Sequence, residues 1–160
     1  MTIEQGARAT DPGTVAAARA AARFSKAMEV ALAEVGLSLP QYRLLVFLSG
    51  GPERATALAG WLEVSPPSLT ALVDGAVARQ LVERVTSEED RRGVRHVITP
   101  QGEEALARGD GAVGLRLSGA LDHLSPAQAR KALEGLELLG QAMAAAREAR
   151  QAATPVSGRA

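Results

Sequence analysis

Cysteine is absent from this chain of 160 residues. That absence excludes disulfides, thiolate metal sites and a cysteine redox sensor. Histidine occurs only twice, as His96 and His123, so a zinc site would need carboxylates for its remaining ligands. The sequence contains no cluster with metal-ligand spacing, and we expect no metal and no other cofactor.

Aromatic residues are almost as scarce, at 2% of the chain against 46% for all hydrophobic residues. They are Phe24, Tyr42, Phe47 and Trp61. The core must therefore be built from Leu, Val and Ala, which favours packed helices. The length fits one domain with a sizeable core rather than two.

An excess of charge of either sign is also missing, because 18 basic residues balance 18 acidic ones. A protein that coats nucleic acid non-specifically would be strongly basic, so any contact with DNA must come from a local patch. The sequence shows no signal-peptide pattern and no run of about 20 apolar residues that could span a bilayer. We therefore expect a cytoplasmic protein without a membrane partner.

Capping residues mark where helices begin. A Ser, Thr or Asp before a proline fits the N-cap and the first helical position, where proline has no N–H to lose. This pair occurs at Asp11-Pro12, Ser65-Pro66, Thr99-Pro100 and Ser125-Pro126. Ser38, with Gln41 three residues on, adds a capping box. Apolar spacing predicts helices over 12–35, 38–48, 55–62 and 66–77, and two long helices that begin at 100 and 126.

Two of the short helices form a predicted helix-turn-helix. The helices over 55–62 and 66–77 are joined by about three residues, and the second is capped and amphipathic. If its apolar stripe of Leu69, Leu72, Val73 and Ala76 faces inward, its outward face is made of small residues. These are Pro67, Ser68, Thr70, Ala71, Asp74, Gly75 and Ala78.

A charged hairpin is predicted directly after the helix-turn-helix, within residues 83–102, ERVTSEEDRRGVRHVITPQG. Two segments with alternating apolar residues flank Asp90-Arg91-Arg92, and Thr99-Pro100 then begins a helix. An EEDRR run alone would be interpreted as a solvated mixed-charge loop. His96 alternates with Val94 and Ile98, so we expect it to face the core as a satisfied histidine rather than a ligand or pH sensor.

These segments together resemble the MarR family, the multiple antibiotic resistance regulators. The run from Leu58-Ala59 through Ser65 to Leu69-Thr70 is similar to the family's helix-turn-helix. Leu81-Val82-Glu83-Arg84 resembles its strand entry. The most specific match is Asp90-Arg91-Arg92 followed by Ile98-Thr99-Pro100-Gln101-Gly102, which resembles the family's wing and the start of its next helix.

Three positions depart from the family pattern. Gln80 stands where the family usually has glycine, so the left-handed cap that glycine favours is expected to be absent or strained. Ala76 replaces a usual leucine. Ala71 replaces a frequent arginine on the recognition helix, which weakens the case for base readout there.

The resemblance implies a mainly α fold with a small β-hairpin wing, a winged helix-turn-helix within an intertwined helical homodimer. The expected DNA-binding lobe spans 38–99, and 11–36 with 100–150 form the helical dimerisation region. Residues 1–10 and 151–160 are expected to be flexible tails. Apolar stripes on the outer helices support a dimer, because a monomer would leave them exposed.

The resemblance also assigns residues to roles. The expected DNA contacts are Ser65, Pro67, Ser68, Thr70, Ala71, Arg91 and Arg92. Either wing arginine could enter an A·T-rich minor groove. Asp90, Arg84 and Asp74 are expected to support the wing, with Asp74 paired to Arg79 or Arg84. A small aromatic or amphipathic effector would bind between the lobe and the dimer helices, lined by Arg23, Phe24, Tyr42 and Trp61.

The leading hypothesis is a ligand-responsive repressor that binds double-stranded DNA at a pseudo-palindromic operator as a dimer. The alternative is a winged-helix protein-interaction module without specific DNA binding, favoured by the zero net charge and a recognition face without long donors. An enzyme is not expected. The sequence has no cysteine nucleophile, no glycine-rich phosphate loop, and no histidine placed with a nucleophile and a carboxylate.

Overall fold

The computed structural model describes residues 11–86 and 93–153, with side chains described as far as residue 149. Its helices are α1 (Pro12–Glu34), α2 (Leu39–Leu48), α3 (Ala55–Leu62), α4 (Pro66–Ala78), α5 (Pro100–Leu121) and α6 (Pro126–Ala153). Its strands are β1 (Glu53–Arg54), β2 (Val82–Thr86) and β3 (Val94–Ile98). The fold is therefore mainly α with a small sheet, as predicted.

The predicted caps hold the helix starts in place. Each capping side chain accepts a hydrogen bond from a backbone N–H of the first turn, which would otherwise lack a partner. The bonds are Thr14 N to Asp11 Oδ2 (3.1 Å), Gln41 N to Ser38 Oγ (3.3 Å), Ser68 N to Ser65 Oγ (3.4 Å), Gly102 N to Thr99 Oγ1 (3.0 Å) and Gln128 N to Ser125 Oγ (3.4 Å). The helix boundaries could therefore be located from sequence.

The sheet is antiparallel with the strand order β1-β3-β2. The predicted hairpin strands are confirmed, and their register places His96 opposite Arg84 and Val94 opposite Thr86. The third strand, β1, was not predicted. It has two residues, and Glu53 lies opposite His96 on the other side of β3. A strand this short leaves no alternation in the sequence to detect.

Aliphatic side chains form the core, as the scarcity of aromatic residues requires. The largest fully buried side chains are Leu32, Leu44, Leu45, Leu48, Leu58, Val73 and Val82. They come from α1, α2, α3, α4 and β2, so the core lies beneath the helix-turn-helix and the base of the hairpin. All four aromatic residues are half-buried, and three of them, Tyr42, Phe47 and Trp61, pack against the edge of the core.

The two long C-terminal helices bury little within one chain. On α5 the buried residues are Gly102, Ala105 and Gly109, whereas the larger apolar residues Leu106, Val113, Leu117 and Leu121 are only half-buried. Large apolar side chains are exposed on both helices, namely Leu115, Leu133, Leu136, Leu138, Leu139 and Met143. The helix α6 continues through Ala153, three residues into the segment that the sequence predicted to be a tail.

Across the described residues, no single helix is both long and apolar enough to cross a membrane. The pair α1 and α2 passes a test of length and composition when taken together, but it is bent by 84°.

Candidate nucleic-acid interface

The helix α4 presents the outward face that its sequence predicted. Leu69, Val73 and Ala76 are buried, and Leu72 is half-buried beside them. On the opposite side the predicted outward residues are exposed, except that Gly75 is half-buried. The helix therefore packs through one side and leaves the other free along its whole length, as recognition in a DNA groove requires.

Hydroxyl groups at the start of α4 are already bonded within the helix. Ser65 Oγ and Ser68 Oγ lie 2.8 Å apart, and either can be the donor. Thr70 Oγ1 donates to the carbonyl oxygen of Pro66 at 3.0 Å. Thr70 thus turns acceptor lone pairs and a methyl group, rather than its proton, toward the outside.

An ion pair joins α4 to the hairpin. Arg84 Nη2 of β2 donates to Asp74 Oδ1, which decides between the two partners that the sequence offered for Asp74. The side chains are 41% and 57% exposed, so the pair contributes at most about 1 kcal/mol to stability. Its clearer consequence is geometric, because it fixes the hairpin beside the recognition helix and neutralises a carboxylate that would repel phosphate.

Arg79 holds the other end of α4, and sequence reasoning missed this role. Its guanidinium donates to the carbonyl oxygen of Gly36 at 2.7 Å and to Gln41 Oε1 at 2.9 Å. The contact ties the end of α4 to the turn between α1 and α2. The capping box of Ser38 and Gln41 was predicted, but nothing in the sequence indicated that Gln41 Oε1 would also accept a hydrogen bond from a residue 38 positions away.

Gln80 keeps the left-handed conformation that the family pattern gives to glycine. Its φ is 58°, and the N–H of Leu81 donates to the carbonyl oxygen of Ala76 at 2.9 Å while that of Gln80 donates to Val77 at 2.8 Å. These two bonds form a Schellman motif. The cap is therefore present and strained, since a side chain in this region costs about 1–2 kcal/mol.

The tip of the hairpin falls outside the described residues. The strands β2 and β3 are paired as far as Thr86 and Val94, and residues 87–92 follow between them. Asp90, Arg91 and Arg92 belong to that segment, so their predicted roles stay predictions.

His96 lies in the core side of the sheet, as its alternation predicted. It is 5% exposed, and its Nδ1 is 3.3 Å from the carbonyl oxygen of Glu53. Burial lowers the pKa of His96 below 6.5; the bond to Glu53 opposes this shift, and the charge of Arg84 adds to it. His96 is therefore a core residue held in its neutral form.

The start of α5 is packed tightly against the strand entry. Thr99 N donates to the carbonyl oxygen of Leu81 at 3.1 Å, and Thr99 Oγ1 donates to that of Gln80 at 2.6 Å. A Cβ at Gly102 would overlap the carbonyl oxygen of Leu81. This explains the spacing of Thr99 and Gly102. Thr99 caps α5, and Gly102 lets the helix approach the backbone of Leu81 closely.

The four residues predicted to bind an effector lie on three helices, α1, α2 and α3. Tyr42 bonds to Asp110 of α5, and Trp61 stacks on Phe47 with ring centroids 5.2 Å apart. On α1, Arg23 is exposed and Phe24 is half-buried. None of the four residues lines either of two clefts in the described part of the chain, whose volumes are about 790 and 460 Å³.

The larger cleft lies between α1 and α5. Its lining on α5 includes the small residues Gly111, Ala112, Gly119 and Ala120, with Leu115 exposed among them. Within the described ranges, no three side chains of His, Asp or Glu converge as metal ligands. The geometry offers a surface for helix packing and a separate surface for a groove of DNA.

Known proteins are similar to this chain in both sequence and fold. A sequence model of the MarR family matches residues 35–93. The chain is 41% identical to the HTH-type transcriptional regulator YpoP of Bacillus subtilis over 71 residues, 44% of this chain and 50% of that one. It is 31% identical to the HTH-type transcriptional regulator YfiV of the same organism over 112 residues, 69% of each chain. The match thus spans about half the length of YpoP and two thirds of YfiV.

Solved structures extend the similarity to the long outer helices. The transcriptional repressor CouR, bound to a 23-mer DNA duplex, is 28% identical with a TM-score of 0.67, covering 89% of this chain and 99% of that one. The MarR family protein Rv2887 of Mycobacterium tuberculosis, in complex with salicylic acid, is 25% identical with a TM-score of 0.68, covering 81% and 96%. Fold and interface define a winged helix-turn-helix protein. The chain belongs to the MarR family of transcriptional regulators.

Proposed function

We propose that the protein is a ligand-responsive repressor that binds a pseudo-palindromic operator as a homodimer. The main support for this proposal is that α4 exposes one face and is held in place by contacts to neighbouring elements. Its outward face is exposed from Pro67 to Ala78, while Arg79 fixes its end and the Asp74–Arg84 pair fixes it to the hairpin. A helix held at a set angle beside a wing can enter a major groove in one orientation.

In this proposal α4 reads base edges and the wing binds the neighbouring backbone and minor groove. Ser65, Ser68 and Thr70 lie on the exposed side of α4 near its start. Arg91 and Arg92 follow in the hairpin segment between β2 and β3. Because the chain has no net charge, these two arginines supply the local positive patch that binding to phosphate requires.

The dimer is supported by the apolar surface of α5 and α6. Leu115 is 77% exposed, Leu138 63% and Met143 64%. The lining of the cleft on α5 includes Gly111, Ala112, Gly119 and Ala120, which would allow a second helix to approach closely. A second copy would cover this surface and hold two recognition helices about 34–36 Å apart, one turn of the DNA helix. A repressor of this kind would act on chromosomal DNA, in the cytoplasm.

The effector is proposed to be a small aromatic or amphipathic molecule, like the salicylic acid in the complex with Rv2887. It would bind more tightly to a state of the dimer in which the distance between the two DNA-binding lobes does not fit the operator. Only such a difference in affinity between two states can shift their populations. Tyr42 joins the lobe to α5 through Asp110, so the relative position of the two parts depends on contacts in this region.

The test is selection of duplexes from a random library with the full-length protein, followed by measurement of affinity and stoichiometry. We expect an inverted repeat bound by two chains, with specific affinity at least about 1,000-fold above that for a scrambled duplex. Salicylate at increasing concentration should lower the affinity. A folded dimer that selects no DNA sequence would contradict the proposal and favour the protein-interaction module.

A further inference from the structure

The start of the recognition helix cannot bind phosphate in the usual way. The first positions of a helix normally leave backbone N–H groups free to bond an anion. Here Pro66 and Pro67 occupy the first two positions and have no N–H, and the N–H of Ser68 donates to Ser65 Oγ at 3.4 Å. The three leading positions of α4 thus offer no free backbone donor.

The side chains of this face are also poor in donors. Of the three hydroxyl protons on Ser65, Ser68 and Thr70, one lies between the two serines and one is bonded to the carbonyl oxygen of Pro66. One proton is left for DNA. Thr70 could donate outward only by breaking its 3.0 Å bond to Pro66, so it would exchange one hydrogen bond for another without gain.

Apart from Asp74, whose carboxylate is paired with Arg84, small apolar groups make up the rest of the face. Pro67 and Ala71 are exposed one turn apart, and the exposed Thr70, which carries a methyl group, directly precedes Ala71 in the chain. Gly75 follows one turn after Ala71, and a Cβ added there would meet nothing within 4 Å. The face therefore offers methyl and methylene groups, acceptor lone pairs and a single donor.

Each base pair presents a different set of groups in the major groove. A G·C pair offers two acceptors, guanine O6 and N7, and one amino donor, cytosine N4, but no apolar group. An A·T pair also offers two acceptors, adenine N7 and thymine O4, and one amino donor, adenine N6, and it adds the apolar methyl group of thymine. Only the A·T pair matches both the acceptor of Thr70 and the apolar surface beside it.

We propose that α4 reads A·T pairs, with thymine methyl groups packed against Pro67 and Ala71 and the N6 amino group of adenine donating to Thr70 Oγ1. This inference rests on the proposed function and specifies the bases that the same interface recognises. Sequence preference within the major groove then comes from apolar contact and one accepted hydrogen bond, with no arginine or lysine reading guanine from this helix.

The methyl contact is tested by replacing thymines of the selected duplex, one at a time, with uracil. We expect at least one position in each half-site where uracil weakens binding about fourfold, the effect of one buried methyl group. In the Ala71→Gly variant that ratio should fall toward one. Thymine and uracil probes are compared with the same protein, so partial unfolding of the variant cancels from the ratio.

The hydrogen bond is tested with Thr70→Val, which keeps the shape and removes the acceptor. We expect about fivefold weaker binding to the selected duplex, and no loss on a duplex in which purine, lacking the amino group, replaces the contacted adenine. Thr14→Val on α1 is the matched control and should bind both duplexes like the parent.

The outcomes separate the two proposals. If the protein selects no sequence, both fail. If it selects an operator whose uracil ratios do not change in Ala71→Gly, or one with guanine at the positions coupled to residues 70 and 71, the A·T assignment is wrong while the proposed function stands.

Discussion

Tyr42 on α2 donates a 2.7 Å hydrogen bond to Asp110 on α5. The ring of Tyr42 packs against Gly109, the residue of α5 that precedes Asp110. A Cβ at Gly109 would lie 2.9 Å from Tyr42 Cδ2. This glycine lets α5 approach α2 closely enough for the bond to form. The contact joins the DNA-binding lobe to the helices proposed to form the dimer.

The same contact predicts an unusual titration. Burial, and then the hydrogen bond and charge of Asp110, raise the pKa of Tyr42 from 10.0 to about 12. Tyr42 is the only tyrosine, so tyrosinate absorbance measures it directly. Its contribution to stability is fully present below pH 10 and is lost as the pH rises toward 12. A folded-state pKa of 10 would contradict the contact.

Asp110→Asn should lower the pKa of Tyr42 toward 10, though not fully, because burial still disfavours the phenolate. Asp122→Asn, at the exposed C-cap of α5, is the matched control and should leave the titration unchanged.

The lowered pKa of His96 should make the free energy of unfolding depend on pH in the acidic range. Its pKa is lowered in the folded state, so the unfolded chain binds a proton first as the pH falls below 6.5. Its contribution to the free energy of unfolding is therefore present above pH 6.5 and declines as the pH falls toward the lowered value. Urea unfolding at a series of pH values should show this decline in the parent and in His123→Gln, and a smaller one in His96→Gln. Equal declines in all three would rule out the effect.

Gly102→Ala should destabilise the protein by roughly 1–3 kcal/mol, because the new methyl group meets the carbonyl oxygen of Leu81, which is backbone and cannot move aside cheaply. Gly75→Ala is the matched helical control. Its methyl group meets nothing within 4 Å, so it should stabilise α4 by about 1 kcal/mol. Thermal unfolding measures both changes, and destabilisation of similar size in the two variants would refute the close approach at Gly102.

Gln80→Gly should stabilise the protein by about 1 kcal/mol, because it relieves the left-handed conformation without removing a hydrogen bond. Thr99 donates to the backbone oxygen of Gln80, so the side chain is not needed for that bond. Gln80→Asn should give a smaller gain, since asparagine tolerates this region. Denaturant midpoints would test the order, and a loss of stability in Gln80→Gly would show that the strain is absent.

The sequence predicted the parts of the fold that depend on local chemistry. Each cap-proline pair begins a helix, and alternation in 82–98 predicted two strands with His96 inward. Contacts between distant segments could not be predicted, because no local pattern encodes them. Arg79 bonding to Gly36 and Tyr42 bonding to Asp110 are examples. On α4, composition predicted a small outward face, but the direction of the Thr70 proton follows only from the folded structure.

We propose that this winged helix binds DNA through α4 and the wing arginines. The most direct test of this proposal is the salt dependence of affinity for the selected duplex. Arg91→Ala/Arg92→Ala is compared with the parent and with Arg19→Ala/Arg130→Ala, whose arginines are exposed on α1 and α6. We predict weaker binding by the wing variant, with a salt slope shallower by about 1 for each phosphate that is no longer neutralised, and no change in the control. A wing variant that binds with the parent's affinity and salt slope would show that Arg91 and Arg92 do not contribute to DNA binding.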